Sequence, residues 1–343
     1  MKKPTHILII RLSAMGDVAM MVPVLRGFSE TYPDVKLTIL SRGFFKPFFE
    51  DIPNINFFEA DVYGKHKGLG LFKLANEVKE LGIDAVADLH NVIRSKVLTK
   101  YLNFSGIKSS TINKGRKEKK ALTREHNKDF RQLKTTHQRY ADVFSKLGYP
   151  INLDKSKALP RKDFNQNLLN LIGSSPKKLI GIAPFAAHSS KMYPLDLMGE
   201  VISKLDKTQQ YRILLFGGGS DEILKLKKLE KNLSSVSSVA GILGFNEELA
   251  LISNLDVMLS MDSGNGHLAA MYGVPVVSLW GATHPYAGFA PFGQTAANNL
   301  VADRAKYPLI PTSIYGNKFP EGYEDVMKTI LPQEIIAKTI KTL

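Results

Sequence analysis

Short apolar runs alternate with amphipathic stretches along the first half of the chain. Apolar runs of about five residues predict buried strands, at residues 6–10, 36–40 and 85–89. Apolar residues at helical spacing predict helices, at residues 18–31 and 71–81, and residues 12–17 read as a loop. Strands that alternate with helices in this way predict a parallel, doubly wound sheet.

The same pattern restarts after a polar stretch at residues 152–167. Further strands are predicted at 179–183, 212–216, 257–260 and 274–280, and helices at 194–205, 221–233, 247–253 and 332–342. We therefore expect two Rossmann-like α/β domains joined near residues 155–175. Their predicted bounds are 1–160 and 161–325, followed by a C-terminal helix within 326–343 that can pack back on the N-terminal domain. Ligands of such sheets bind at the carboxyl ends of strands, so a cleft between the domains is the expected active site.

Composition narrows the class of protein. The 343 residues suffice for two cores, and the 44% hydrophobic and 23% charged content is ordinary for a folded soluble protein. The chain has no cysteine, which excludes disulfides and thiolate metal sites. The first residues lack a signal-peptide pattern, and no stretch approaches the roughly 20 apolar residues that cross a bilayer. The expected location is cytoplasmic.

The net charge of +14 is unevenly distributed. Residues 96–139 contain thirteen Lys or Arg and three acidic residues, so this window carries +10 of the total. Such a run can be an ordinary solvated face. Its concentration in one window instead favours an acidic partner, which can be a phosphorylated substrate, an anionic membrane or a nucleic acid.

The segment Asp262-Ser263-Gly264 is the most informative stretch of the sequence. It follows an apolar strand, and the apolar residues after His267 favour a helix. Free backbone N–H groups at the start of a helix bind anions, and a diphosphate fits such a site. The alternative is an N-capped helix without a ligand, because Asp and Ser cap helices routinely.

Other candidate residues also follow predicted strands. Gly16 allows close backbone approach, and Asp17 can act as a general base toward a hydroxyl or only cap a helix. Lys191 can neutralise a phosphate. Asp221 and Glu222 follow a glycine-rich turn and can cap a helix or bind ribose hydroxyls. The turn lacks the dinucleotide and P-loop patterns, and no zinc-ligand spacing is present.

These segments together resemble glycosyltransferase family 9, the ADP-heptose:lipopolysaccharide heptosyltransferases. The matching segments are 7–17 with Pro23, Asp88-Leu89-His90 with Arg94-Ser95, Lys191-Met192-Tyr193-Pro194, Asp262-Ser263-Gly264 with His267-Leu268-Ala269-Ala270, 273–277, 279–283, and 327–330 with 332–334. They occur in the family's order over nearly the whole chain.

The resemblance implies the GT-B fold, two Rossmann-like domains whose parallel sheets face a central cleft. It implies inverting transfer of a heptose from ADP-heptose to a lipopolysaccharide inner-core acceptor, with Asp17 as base and Lys191 on the donor phosphates. The implied donor-binding residues are Gly16, Ser189, Ser190, Asp221, Glu222, Asp262, Ser263, Gly264 and His267, of which His267 orders the phosphate loop. The expected acceptor-binding residues are Arg94, Lys117, Lys119, Lys120 and Arg124. No metal or other cofactor is expected, because a lysine and a helix N-terminus can neutralise the leaving diphosphate.

Two departures from the family concern the donor. Pro184-Phe185-Ala186-Ala187 stands where the family has hydroxyl or glycine residues, and Tyr193 replaces a tryptophan. A GT-B enzyme with another nucleotide-sugar donor is therefore the alternative. A nucleic-acid-binding protein is the remote alternative, since no nucleic-acid-binding signature is present. The expected partner is Kdo-lipid A or the inner core, and the expected location is the cytoplasmic face of the inner membrane.

Overall fold

The computed structural model describes residues 3–173 and 177–343. These residues form two compact units. The first comprises the chain up to Gly115 together with Lys134–Leu159, and the second comprises Arg116–Leu133 together with Pro160–Leu343. The predicted N-terminal domain, residues 1–160, includes residues 116–133, which the structure groups with the second unit. Residues 174 and 175 of the expected joint lie outside the described residues.

The first unit contains a five-stranded parallel sheet. Its strands are β1 (His6–Ile10), β2 (Lys36–Ser41), β3 (Ile55–Glu59), β4 (Ala85–Asp88) and β5 (Lys108–Thr111), in the spatial order β3-β2-β1-β4-β5. The three strands predicted in this half of the chain are confirmed. The outer strands β3 and β5 were missed because they are partly exposed edge strands, and β5 has the polar sequence Lys-Ser-Ser-Thr.

Helices flank this sheet and bury its apolar side chains. They are α1 (Met15–Ala19), α2 (Met21–Thr31), α3 (Gly70–Lys79), α4 (Ile93–Phe104) and α6 (Thr136–Lys146), while α5 (Arg116–Thr123) belongs to the second unit. The prediction of a loop over residues 12–17 was wrong at its end. Gly16 and Asp17 lie in α1, where the Asp17 carboxylate accepts a weak hydrogen bond (3.4 Å) from the Ala14 amide ahead of the helix.

The second unit contains a six-stranded parallel sheet. Its strands are β6 (Lys178–Ala183), β7 (Tyr211–Leu215), β8 (Val236–Ser238), β9 (Val257–Met261), β10 (Val276–Trp280) and β11 (Asn299–Val301), in the order β11-β10-β9-β6-β7-β8. Its remaining helices are α7 (Gln166–Ile172), α8 (Leu195–Lys207), α9 (Ser220–Glu230), α10 (Phe245–Ser253), α11 (Gly264–Met271) and α12 (Pro332–Thr342). The parallel α/β architecture predicted for this half of the chain is confirmed.

The final helix packs within the second unit. α12 lies against α8, and its Ile335 is fully buried in the core that also contains Met198 and Tyr193. Packing of this helix back on the N-terminal domain stays a prediction. An apolar stripe at helical spacing identifies the helix but not the surface that covers the stripe.

The segment 116–133 is attached to the second unit by a small core of its own. Leu122 and Leu133 pack with Ala287, and Phe130 packs on Tyr286. The Lys128 ammonium donates hydrogen bonds to the carbonyls of Leu122, Leu309 and Pro311, the last two at 2.7 Å. Burial, together with the nearby charge of Arg304, lowers the pKa of Lys128 to about 8, so it remains charged at neutral pH. The bonds from Lys128 to Leu309 and Pro311 join positions 181 and 183 residues apart in the chain.

In each sheet the order of strands reverses at one place. The first sheet runs from β1 outward to β3 and resumes at β4 on the other side of β1, and the second reverses in the same way between β6 and β9. Ligands of open α/β sheets bind outside the carboxyl ends of strands at such switch points. The loops after β1, β4, β6 and β9 are therefore where each unit is expected to hold its functional groups.

Candidate active site

An ion pair stands at the switch point of the first unit. Arg11 follows β1 directly, and its guanidinium pairs with the Asp17 carboxylate. The arginine also donates to the Leu89 carbonyl at 2.8 Å. Arg11 is buried, whereas the Asp17 side chain is 30% exposed. A carboxylate held in this way is fixed in orientation and still reachable by a ligand.

Two further groups complete the surroundings of this pair. The hydroxyl of buried Tyr140 donates to the backbone carbonyl of Asp17 at 3.1 Å. Nδ1 of His90 accepts a hydrogen bond from the Leu12 amide at 3.3 Å. Burial, together with the positive charges of Arg11 and Lys114, lowers the pKa of His90 to about 3. His90 is therefore neutral at physiological pH, with its Nε2 as a hydrogen-bond donor.

The start of α4 is fixed by Asp88, the last residue of β4. This fully buried carboxylate accepts hydrogen bonds from the amides of His90 and Asn91, at 2.9 and 2.8 Å, and from the Ser95 hydroxyl at 3.1 Å. The turn places Arg94 in the first turn of α4 with an exposed side chain. Residues 88–95, one of the segments that resemble the family, thus form a single turn. This turn fixes the backbone of Arg94, an expected acceptor-binding residue.

The switch point of the second unit carries a lysine and a carboxylate. Nζ of Lys191 lies 3.2 Å from Oδ2 of Asp262, and both side chains are largely buried. The Thr283 hydroxyl donates to the same oxygen at 2.9 Å. Lys191 lies in a 3-10 turn after β6, Asp262 follows β9 and Thr283 follows β10. Three neighbouring strands therefore hold one oriented ammonium group.

The turn that carries Lys191 rests on two glycines. A Cβ at Gly316, whose φ is +78°, would lie 2.5 Å from Cγ of Lys191. A Cβ at Gly281 would lie 2.6 Å from the Ser190 carbonyl oxygen. The hydroxyl of buried Ser190 donates to the Gly316 carbonyl, and Ser189 is exposed. Ser190 thus holds the turn, and Ser189 has the accessible hydroxyl.

The predicted anion site has the expected local form. Ser263 is the N-cap residue of α11, and its side chain makes no capping hydrogen bond. The first amides of the helix therefore keep their donor capacity. His267 is buried on the same helix. Neither Asp262 nor Ser263 caps α11 with its side chain. The Ser263 hydroxyl makes no capping hydrogen bond, and the Asp262 carboxylate contacts Lys191 and Thr283.

The two acidic residues of α9 have different surroundings. Glu222 accepts a hydrogen bond from the Gly218 amide at 2.8 Å and lies against the turn that follows β7. Asp221 is 79% exposed and pairs with Lys225 along the helix at 2.6 Å. Glu222 is therefore the carboxylate that the structure holds at the carboxyl edge of the sheet.

The basic residues expected to bind the acceptor do not share one environment. Lys117, Lys120 and Arg124 are exposed. Lys119 is only 7% exposed, and its ammonium lies 4.0 Å from the centre of the Phe289 ring. Lys119 therefore packs within the second unit, whereas the other three present charge to solvent.

The departure at Tyr193 lies in the core. Tyr193 is buried, its hydroxyl donates to the Ile330 carbonyl at 2.7 Å, and burial raises its pKa to about 12. A buried phenol with a carbonyl partner can replace an indole with little effect on the surface of the site.

Three residues of the site were not predicted from the sequence, namely Arg11, Tyr140 and Thr283. Only Arg11 had a signal, since a charged residue directly follows a buried strand.

The described residues show neither a cluster of metal ligands nor a helix that could span a membrane. Within 3–173 and 177–343, no three His, Asp or Glu side chains are grouped so that they could hold a metal ion. No helix in these ranges combines the length and apolar character that crossing a membrane requires.

Comparison with known proteins connects this geometry to a family. The sequence profile of glycosyltransferase family 9 (heptosyltransferase) matches residues 71–312. The lipopolysaccharide core heptosyltransferase OpsX of Haemophilus influenzae is 26% identical over 294 residues, which cover 82% of this chain and 80% of that protein.

Solved structures support the fold. A family 9 glycosyltransferase from Veillonella parvula superposes with a TM-score of 0.76 at 18% identity, covering 98% of this chain and 97% of that one. The E. coli heptosyltransferase WaaC, solved with ADP, gives a TM-score of 0.66 at 16% identity, covering 98% of this chain and 100% of that one. The predicted GT-B fold class, built from two Rossmann-like α/β domains, is confirmed.

Proposed function

This chain belongs to glycosyltransferase family 9, and we propose that it transfers a heptose with inversion from ADP-heptose to a lipopolysaccharide inner-core acceptor. The match to the family over residues 71–312 carries the reaction class. The name of the relative OpsX supports the sugar and the acceptor, and the ADP bound to WaaC supports the nucleotide. The two switch-point clusters supply the groups that this chemistry needs.

Asp17 is the proposed general base. An acceptor hydroxyl that attacks the anomeric carbon must lose its proton, and the partly exposed Asp17 carboxylate can accept it. Arg11 holds this carboxylate in one orientation from the buried side. The neutral imidazole of His90 offers an Nε2–H donor beside the same pair. The proton passes to Asp17 as the bond between the acceptor oxygen and the sugar forms.

Lys191 and the start of α11 are proposed to bind the departing diphosphate. Cleavage of the glycosidic bond to ADP leaves negative charge on the phosphate oxygen. A fixed ammonium group, together with the amides at Ser263 and Gly264, would stabilise that charge most strongly in the transition state. The Ser189 hydroxyl is a further donor. Asp262 orients Lys191, and its Oδ1 can accept a hydrogen bond from a sugar hydroxyl.

Glu222 is the proposed ribose ligand. A carboxylate accepts hydrogen bonds from both hydroxyls of a ribose, and the Gly218 amide already holds Glu222 at the strand end. Asp221 points along α9 to Lys225 and is not assigned this role. Gly16 and His267 keep their proposed roles, close backbone approach and ordering of the phosphate loop.

The exposed basic residues are proposed to contact an anionic acceptor at the membrane surface. Lys117 and Lys120 lie three residues apart in α5, and Arg124 directly follows the last residue of this helix. Lipid A and inner-core sugars are anionic, and each basic side chain near an anionic surface contributes about 1 kcal/mol at low salt. We place the enzyme at the cytoplasmic face of the inner membrane.

The transfer reaction tests the proposal directly. Purified protein is incubated with ADP-heptose and Kdo-lipid A or heptose-deficient core, and mass spectrometry detects addition of one heptose. Thermal shift with ADP, UDP and GDP identifies the nucleotide in parallel, because a ligand of the native state raises the melting temperature. Stabilisation by UDP or GDP but not ADP, with no heptose transfer, would overturn the choice of donor and favour another nucleotide sugar.

Vesicle binding tests the membrane contact separately. The protein should co-sediment with vesicles containing phosphatidylglycerol at low salt and dissociate at high salt. The variant Lys117→Ala/Lys120→Ala/Arg124→Ala should lose this binding. The control Lys227→Ala/Lys228→Ala/Lys231→Ala removes three exposed charges elsewhere in the second unit and should retain it. Equal loss in both variants would show that only net charge matters.

A further inference from the structure

Two arginines share one aromatic ring at the carboxyl edge of the first sheet. Arg42 follows β2 directly, Tyr63 lies in the loop after β3, and Arg94 lies in the first turn of α4 after β4. Each guanidinium carbon lies 5.2 Å from the centre of the Tyr63 ring. The loops after three strands therefore bring two positive charges to the same side chain.

Neither guanidinium has an acidic partner among the described residues. No carboxylate of residues 3–173 or 177–343 lies within 4.0 Å of the guanidinium nitrogens of Arg42 or Arg94, whereas Arg11, Arg26 and Arg131 each have one. The Glu59 carboxylate lies beside the neighbouring Gly43 without pairing with Arg42. Two like charges held on one exposed ring repel each other, and a bound anion would remove that repulsion.

The loop that carries Tyr63 is held by hydrogen bonds of its own backbone. Tyr63 is 62% exposed at the tip of a loop whose Asp61 carboxylate accepts a hydrogen bond from the Gly64 amide at 2.8 Å. The same carboxylate accepts from the Lys65 amide at 3.0 Å, and the hydrogen bonds from Lys65 and Gly64 lower the pKa of Asp61. Nδ1 of fully buried His66 accepts from the Asp61 amide, and its Nε2 lies 3.0 Å from Glu77. Hydrogen bonds on both sides of Tyr63 therefore hold the backbone that carries the ring.

Hydrogen bonds also hold the chain next to each arginine. Arg42 follows Ser41, whose hydroxyl donates to the Arg11 carbonyl at 2.5 Å. Arg94 follows the turn that the buried Asp88 organises with Ser95. A guanidinium that stacks on an aromatic ring keeps its N–H donors free, because they lie in the plane of the guanidinium. They can bind an oxyanion bidentately. The arrangement is pre-formed for an anion with several oxygens.

We propose that Arg42, Tyr63 and Arg94 form a subsite for an acidic sugar, one that carries a phosphate or a carboxylate. The arginines bind the oxyanion, and Tyr63 is a positioning residue that stacks both guanidinium groups. The inference rests on the proposed function in one respect, since it assigns the bound sugar to the acceptor. It adds that the acceptor is recognised through an anionic group on a sugar ring as well as through its reacting hydroxyl.

Binding of small sugars tests the subsite without transfer activity. Saturation-transfer NMR at low salt compares glucose 6-phosphate, glucuronate and glucose as probes. We expect at least one of the two acidic sugars to bind and glucose not to bind. The acidic sugar with the higher affinity identifies the preferred anion as phosphate or carboxylate. Arg42→Ala and Arg94→Ala should each weaken binding about tenfold, as expected when a hydrogen-bonded charge pair is lost. Equal binding of glucose would overturn the proposal.

Matched variants separate the subsite from general electrostatics. Lys100→Ala removes one exposed charge from the same helix as Arg94 and should leave binding unchanged. Tyr63→Phe retains the stacked ring and should bind like the wild type, whereas Tyr63→Ala should weaken binding about as much as loss of one arginine. If Lys100→Ala weakens binding as much as Arg42→Ala, or if Arg42→Ala has no effect, the subsite does not exist.

Steady-state kinetics test the link to the acceptor. In the transfer assay, Arg42→Ala and Arg94→Ala should raise the KM for the acceptor about tenfold and leave the KM for the nucleotide sugar unchanged. Unchanged acceptor KM with weakened sugar binding would overturn the assignment to the acceptor. Absence of transfer in the wild type would count against the proposed function alone, since the NMR binding result still decides the subsite.

Discussion

The carboxylate of Asp17 is paired with the guanidinium of Arg11, which is buried beneath it at the end of β1. The pair also places Asp17 in the first turn of α1, where a loop was expected. Burial lowers the pKa of the Arg11 guanidinium, but Tyr140 and Asp17 raise it by more, so it stays above its ordinary value. The carboxylate is thus accompanied by a permanent positive charge.

Replacement of Asp17 by Asn should abolish transfer while leaving nucleotide binding intact. The amide keeps the shape of the side chain but cannot accept the acceptor proton, and loss of a general base typically costs about 10²- to 10⁴-fold in kcat. Single-turnover kinetics and the Kd for ADP measure the two effects. Asp34→Asn, at an exposed position of the same unit, is the control. Turnover close to wild type in Asp17→Asn would refute the assignment.

The Arg11–Asp17 pair should be coupled in stability. Arg11→Met removes the partner of a partly buried carboxylate and should lower the free energy of unfolding by about 2 kcal/mol, less than for a fully buried pair. In a double-mutant cycle with Asp17→Asn, the two effects should fall short of additivity by about 1 kcal/mol. Urea denaturation gives the three values. Strict additivity would mean that the pair contributes nothing as a pair.

Lys191 and Thr283 should differ in how they affect the reaction. Lys191→Ala removes the charge proposed to meet the diphosphate and should lower kcat about 10²- to 10³-fold. Thr283→Val removes only the hydroxyl that orients Asp262 and should lower kcat about tenfold with little change in melting temperature. Lys207→Ala, on the exposed face of α8, controls for loss of charge. Wild-type kinetics in Lys191→Ala would contradict the assigned role.

Gly316 should be required for donor binding. A methyl group there would collide with the Lys191 side chain and would also be strained, because φ is +78°. Gly316→Ala should therefore weaken ADP binding, measured by calorimetry. Gly322 has a similar φ of +81° but open space around its would-be Cβ, so Gly322→Ala bears only the backbone strain of about 1 kcal/mol. Equal ADP affinity in the two variants would show that the collision is relieved at no functional cost.

Glu248 should make stability depend on pH. Burial raises its pKa to about 7, from an ordinary value near 4.5. Below pH 4.5 the group is protonated in both folded and unfolded chains. Between about pH 4.5 and 7 the unfolded chain loses the proton first, so this residue destabilises the fold increasingly as the pH rises.

Glu248→Gln should therefore raise the free energy of unfolding at pH 8 by on the order of 2 kcal/mol and have little effect near pH 4.5. Denaturation curves at the two pH values measure the difference. Glu247→Gln is not a suitable control, because the Glu247 carboxylate accepts a hydrogen bond from Asn165 that the substitution would alter. The exposed Glu125 offers one, and Glu125→Gln should show no such pH dependence. A larger gain for Glu248→Gln at low pH would contradict the sign.

Much of the fold was predictable because its strands are buried on both faces. The runs at β1, β6 and β9 are short, apolar and flanked by polar turns, which is a local signal. The edge strands β3, β5, β8 and β11 carry mixed or polar residues and could not be told from loops. The candidate residues of both switch points were also predictable from local sequence. Each of the family segments that carry them directly follows a predicted strand.

Local patterns in the chain thus predicted two parallel α/β sheets, the family, and the positions of Asp17, Lys191 and the Asp262–Gly264 helix start. The folded chain adds four relationships that these patterns do not contain: Arg11 pairs with Asp17, Thr283 orients Asp262, residues 116–133 join the second unit, and Arg42 and Arg94 share Tyr63. The difference is one of distance along the chain. Periodicity and capping act between near neighbours in the chain, whereas these contacts join residues that only the packing of separate strands and loops brings together.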